Sequence, residues 1–169
     1  MLEKKQILAW VQELGETIGK DTLGLLFQDD KVQGDKKIGH GQFRELAALC
    51  SAAECYEEIE LLVKYNTAKA PEGQSWATQC GKVKFGDLIV QYMHTIRAAE
   101  QSKEGVMTDL MHFFGYLYWQ SRVWSAENPA PQSNYGRQNG GNQQRNDQNR
   151  GQKPGGYGKQ IPQHKGGRW

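Results

Sequence analysis

Apolar residues recur at helical spacing through most of the first 127 positions of this chain and then stop. Ile7, Leu8, Val11, Leu14 and Ile18 form one stripe, with Trp10 beside it and charged residues opposite. That spacing predicts an amphipathic helix over Lys4–Ile18, with Gly19 as its stop signal. Asp21-Thr22-Leu23-Gly24-Leu25-Leu26-Phe27 reads either as a short helix or as an apolar clip against the bundle, and the polar, glycine-broken stretch 28–41 reads as a loop. A helix over 42–50 presents Phe43, Leu46, Ala47 and Cys50 on one face. Ser51 and Glu54 have the spacing of a capping box, which predicts a third helix over 52–70 with Tyr56, Ile59, Leu62 and Val63 inward, ended by Pro71.

After a second glycine-containing loop (72–83), Phe85, Leu88, Ile89, Tyr92, Met93 and Ile96 follow the i, i+3, i+4, i+7 pattern, and Val106, Leu110, Phe113, Phe114 and Leu117 repeat it. The last segment also carries Met107, Met111, Tyr118, Trp119, Val123 and Trp124, so it is apolar around much of its circumference. Such a helix is either central or touches a partner as well. Strand alternation is absent. The expected fold is all-α: a small bundle of four to five helices over residues 1–127, followed by a disordered, basic Gly/Gln/Asn/Arg-rich tail over 128–169.

The tail changes the charge picture. It holds seven Lys/Arg and one acid, Asp147, whereas residues 1–127 hold 14 basic and 18 acidic side chains. Too little apolar surface is present in the tail to offset its chain entropy. Its cations, spaced by glycine and by Tyr135, Tyr157 and Trp169, suit phosphate contacts and base stacking; a solubilising or spacing role is the alternative.

Local signatures of chemistry are missing. His40, His94, His112 and His164 are far apart in sequence, and neither Cys-x-x-Cys nor His-Glu-x-x-His occurs. Asp29-Asp30 lacks a calcium-loop spacing, and there is no Gly-x-Ser-x-Gly elbow and no glycine-rich phosphate loop ending in Lys-Ser or Lys-Thr. Gly39-His40-Gly41 before a helix start is ordinarily a hinge, although a helix N-terminus also holds anions. No enzyme activity, metal or cofactor is expected. Three cysteines (Cys50, Cys55, Cys80), the absence of a signal-peptide pattern after Met1 and the lack of any run of about 20 apolar residues point to a cytoplasmic setting away from membranes.

What remains is a set of cations among polar and aromatic residues. Lys37 and Arg44 flank the start of the 42–50 helix, Lys64 and Lys69 lie on the next one, and Lys84 and Arg97 mark the start and end of the fourth. Each has an ordinary alternative as a solvated side chain or a partner of a helix dipole. With Arg137, Arg145 and Arg150 of the tail they form the candidate nucleic-acid-binding set.

Three stretches carry a resemblance: Gln42-Phe43-Arg44 after a glycine-rich loop, Leu62-Val63-Lys64-Tyr65-Asn66-Thr67-Ala68-Lys69, and Phe113-Phe114-Gly115-Tyr116-Leu117-Tyr118-Trp119. In order and spacing over residues 39–124 the chain resembles the small helical subunit of type III-A CRISPR effector complexes, the Csm small-subunit family. Lys69 stands where that pattern has Arg, a Glu usual in its last helix is missing from 113–119, and the tail is foreign to it. The resemblance implies a non-catalytic subunit that self-associates along a ribonucleoprotein and grips the guide–target duplex through backbone charge and shape. Arg44, Lys64 and Lys69 match its basic positions and are expected to line one continuous surface. The expected partners are RNA or single-stranded nucleic acid and other subunits. A standalone single-strand-binding protein or RNA chaperone acting through the tail, and a helical protein–protein adaptor, are the alternatives.

Overall fold

The computed structural model describes residues 1–27, 37–100 and 102–128; the tail positions Arg137, Arg145 and Arg150 lie outside the described residues. Six helices are present among them: α1 (Lys4–Ile18), α2 (Lys20–Leu26), α3 (His40–Cys50), α4 (Tyr56–Lys69), α5 (Phe85–Ala99) and α6 (Lys103–Glu127). The all-α bundle is therefore as expected. The open choice at residues 21–27 falls to the helix, which takes the number one beyond four to five.

α6 is the spine. It packs chiefly against α3 and α1, and more lightly against α5, α2 and α4. Its start is fixed by Ser102, whose Oγ accepts from the Gly105 N–H at 3.1 Å, while the Glu100 carboxylate accepts from the Ser102 N–H and hydroxyl. At the other end the Asn128 backbone N–H and Nδ2 both donate to the Trp124 carbonyl, so Asn128, assigned above to the tail, is the cap of α6.

Two local expectations are overturned. Ser51 and Glu54 form no capping box. The Ser51 N–H already closes the last turn of α3 on Ala48 and Leu49, its hydroxyl donates to Met111 Sδ at 3.3 Å, and α4 begins only at Tyr56. Helix termination at Ser51 outcompetes helix initiation there. A small antiparallel hairpin also exists, β1 (Gln79–Cys80) against β2 (Val83–Lys84), preceded by a 3₁₀ turn at Ser75–Ala77. Two-residue strands are too short to show alternation in sequence.

The largest fully buried side chains include five phenylalanines, Phe27, Phe43, Phe85, Phe113 and Phe114. Phe27, just past α2, lies 5.7–6.1 Å from the ring centroids of His40, Phe43, Phe85 and Trp124, and Trp76 closes the cluster against Phe43 and Phe85. The Trp76 indole N–H donates to Gln42 Oε1 at 2.5 Å, so this ring is buried without leaving its polar atom unpaired. α4 and α5 approach closely where Gly86 meets Thr67; a Cβ at 86 would collide with the Thr67 side chain. Gly115, within α6, faces open space instead.

These two glycines should therefore respond with opposite sign. Gly86→Ala is expected to destabilise the fold by about 1–3 kcal/mol through overpacking. Gly115→Ala should stabilise it by about 0.5–1 kcal/mol, because it gains helix propensity without a clash. Thermal and urea unfolding of both variants checks the pair.

Candidate nucleic-acid interface

The body's cations divide by whether a neighbouring acid takes them. Lys64 pairs with Glu60 one turn earlier on α4, and Glu60 also meets His94 Nε2 of α5 at 3.3 Å. Lys64, ahead of His94, holds the Glu60 carboxyl below the usual carboxylate range. Arg97 pairs with Glu57 at 2.8 Å and lies 4.5 Å over the Tyr56 ring. Both cations are bound on the α4–α5 side of the bundle. Lys84 is half-buried at the end of the hairpin, where it precedes α5 and pairs across the strands with Gln79.

Lys37, Lys69 and Arg44, like Lys84, take part in no ion pair among the described residues. Lys37 and Lys69 both line a groove of about 680 Å³ between α3 and α4, whose walls also include Glu45, Asn66, Leu62 and Trp76. The Lys37 Nζ is buried and has no hydrogen-bond partner among the described residues. Lys69 is exposed and lies 5.7 Å over the Tyr65 ring.

Arg44 faces elsewhere. Its guanidinium is 6.0 Å over the Tyr118 ring of α6. The single continuous surface expected of Arg44, Lys64 and Lys69 is thus not what the fold provides: the three side chains turn toward α6, toward Glu60 and α5, and toward the α3–α4 groove. Lys64 and Lys69 lie about 140° apart around α4, and Arg44 is carried by a different helix, α3, packed on α6.

Sequence reasoning overlooked Arg122. It lies 5.7 Å over the same Tyr118 ring that Arg44 covers, and its signal was the i, i+4 spacing of Tyr118 and Arg122 on α6. Beside this pair the outer side of α6 is aromatic. His112 stacks on Tyr116 at 6.1 Å, Tyr116 meets Trp119 at 5.8 Å, and Trp119 is 64% exposed.

The groups that support other chemistry are placed differently. Ser121 Oγ lies 2.9 Å from His40 Nδ1, and its hydroxyl is also within 3.0 Å of the Tyr118 carbonyl. No group of three His, Cys, Asp or Glu side chains suited to a metal occurs among the described residues. Burial pushes the Cys50 thiol up to about 12 and the Cys80 thiol up to about 11. Within the described residues no helix is long and apolar enough to cross a membrane. No family model, curated protein or solved structure matches the chain.

The thiols give a direct check on this arrangement. At neutral pH a limiting alkylating reagent should modify half-buried Cys55 first, while Cys50 and Cys80 react only in denaturant. Mass mapping of the modified peptides during a time course reads the order; early labelling of Cys50 would contradict its burial.

Proposed function

We propose that this protein is a non-catalytic nucleic-acid-binding subunit of a ribonucleoprotein, of the kind its resemblance to the type III-A CRISPR small subunit implies. The observation that carries the reading is the groove between α3 and α4, where Lys37 Nζ is buried without an acceptor among the described residues and Lys69 also lines the wall. An ammonium removed from water without a partner is costly, and an incoming phosphate oxygen supplies the missing acceptor. Lys69 adds a second cation at the mouth. Backbone contacts of this sort are indifferent to sequence, which leaves recognition to base pairing in an assembled complex.

The tail's seven Lys/Arg add a second, sequence-tolerant contribution. A standalone binder working through its tail would lose all affinity when the tail is removed; a subunit working through its body would not. Anisotropy titrations of the full chain and of a chain ending at Asn128, with labelled single-stranded and duplex RNA, separate the two. We expect the shortened protein to keep its melting temperature and to bind more weakly, with a shallower salt dependence.

Within the full chain, Lys37→Ala with Lys69→Ala should weaken RNA binding about tenfold or more. The salt slope on single strands should fall by about 0.7 for each phosphate that is no longer neutralised. Wild-type affinity and slope in the double variant would remove the groove from the interface. An absence of RNA binding by the wild-type chain would favour the adaptor reading.

A further inference from the structure

We infer that the outward side of α6 is a stacking platform for unpaired nucleic-acid bases, a second contact surface that the basic groove does not include. This inference rests on the nucleic-acid reading above and specifies the form of substrate: single-stranded, and held by its bases as well as by its phosphates. From Leu110 to Ala126 α6 contains no Asp or Glu, although the body as a whole has more acids than bases. Along that stretch the half-buried His112 and Tyr116 and the exposed Trp119 form a run of neighbouring rings, with centroids 6.1 and 5.8 Å apart, whose open end is Trp119. They occur at i, i+4 and i+7, so all three project from one side of the helix.

Arg44 and Arg122 flank this run through Tyr118, at 6.0 and 5.7 Å from its centroid. Neither guanidinium takes part in an ion pair among the described residues. Two like charges over one ring repel, and a phosphate between or beside them offsets that repulsion while leaving the ring contacts in place. An apolar protein partner would cover Trp119 and Val123, which are 64% and 46% exposed, but would bury two unpaired guanidinium groups in doing so. A single strand matches both features: its bases have aromatic faces, and its backbone supplies an anion at each step. Gly115, on the same stretch, leaves open space where a side chain would otherwise stand.

The test uses the full chain, a labelled single-stranded oligoribonucleotide of about 16 nucleotides, and the same sequence annealed to its complement. Trp119→Ala should weaken single-strand binding about fivefold or more and leave its salt slope unchanged, because stacking releases no counterions. Trp119→Phe should restore most of the affinity. Arg122→Ala should lower the salt slope by about 0.7, and duplex affinity should move far less with Trp119→Ala. Circular dichroism and melting of each variant establish that it is folded, as the exposure of Trp119 leads one to expect. If Trp119→Ala binds both forms like the wild type while Lys37→Ala with Lys69→Ala is impaired, the platform is wrong and the groove stands. Equal weakening on single strand and duplex would mean that this face reads backbone rather than bases, which also overturns the inference. A Trp119→Ala variant with unchanged RNA affinity but altered self-association would overturn it too and assign the face to a second copy of the chain. Should the wild-type chain bind neither RNA, the nucleic-acid reading fails and the platform fails with it.

Discussion

Burial of the Phe27 ring is the constraint on which the arrangement of this bundle depends. The ring is fully buried and belongs to a segment that joins α2 to the rest of the chain, yet it touches rings carried by α3, α5 and α6. Edge and offset contacts between aromatic rings add about 0.5–1.5 kcal/mol per pair beyond the area they bury, so four of them in one place outweigh any single surface interaction in the domain. They also fix geometry. With Phe27 packed against His40, Phe43 and Trp124, α3 is seated on α6 with Ser121 Oγ in hydrogen-bond contact with His40 Nδ1. Arg44 follows Phe43 directly, and this seating turns it onto Tyr118. The same cluster holds Trp76 against Phe43 and Phe85, and Trp76 forms one wall of the groove that contains Lys37. Both candidate surfaces are therefore set by one apolar knot.

Charge pairing then compensates two of the candidate cations. Acids on α4 outnumber bases, and two of them, Glu57 and Glu60, engage Arg97 and Lys64. Exposed pairs of this sort contribute little to stability. Their larger consequence is that the α4–α5 side presents compensated charge. Lys37, Lys69, Arg44 and Arg122 have no such partner among the described residues; Lys69, Arg44 and Arg122 lie over tyrosine rings, and Lys37 lines the α3–α4 groove. A chain with an acidic body can still offer a phosphate two local sites, because screening confines the repulsion of distant carboxylates to about 10 Å or less.

Much of this fold was legible in the sequence. The bounds of α1 follow from its stripe, and the inward Phe43, Leu46 and Cys50 of α3 follow from theirs. Failures occurred where local rules compete or where the pattern is shorter than its period. Ser51 satisfies the spacing of an N-cap but is used to finish α3, and the hairpin at 79–84 has too few residues to alternate. Leu8 belongs to the stripe of α1 but is 43% exposed, since a stripe gives a direction and not its edge. The site was less legible than the fold for one reason. A cation's identity is in the sequence, whereas its partner belongs to another helix: Glu60 beside Lys64 is visible at i, i+4, but Arg44 over Tyr118 requires knowing that α3 packs on α6.

The apolar character of α6 around much of its circumference left two explanations, a central helix or one that also touches a partner, and the structure shows the first while leaving one large apolar side chain exposed. Phe113, Phe114, Leu117 and Trp124 are buried, which makes the helix central. Trp119 and Val123 lie on its outward side, and Trp119 is 64% exposed despite being one of the largest apolar side chains in the protein. Leaving an indole in water forgoes roughly 1.5–3 kcal/mol that burial would contribute. A folding argument alone would place a polar residue there, as Asp87, Gln91 and Thr95 stand on the exposed face of α5. The rings at 112, 116 and 119 contact one another, however, and the adjoining guanidinium groups keep the face hydrated and positively charged. The exposed Trp119 indole beside those cations is the feature of α6 that the proposed base-stacking role would use, while the half-buried His112 and Tyr116 back it from the core side.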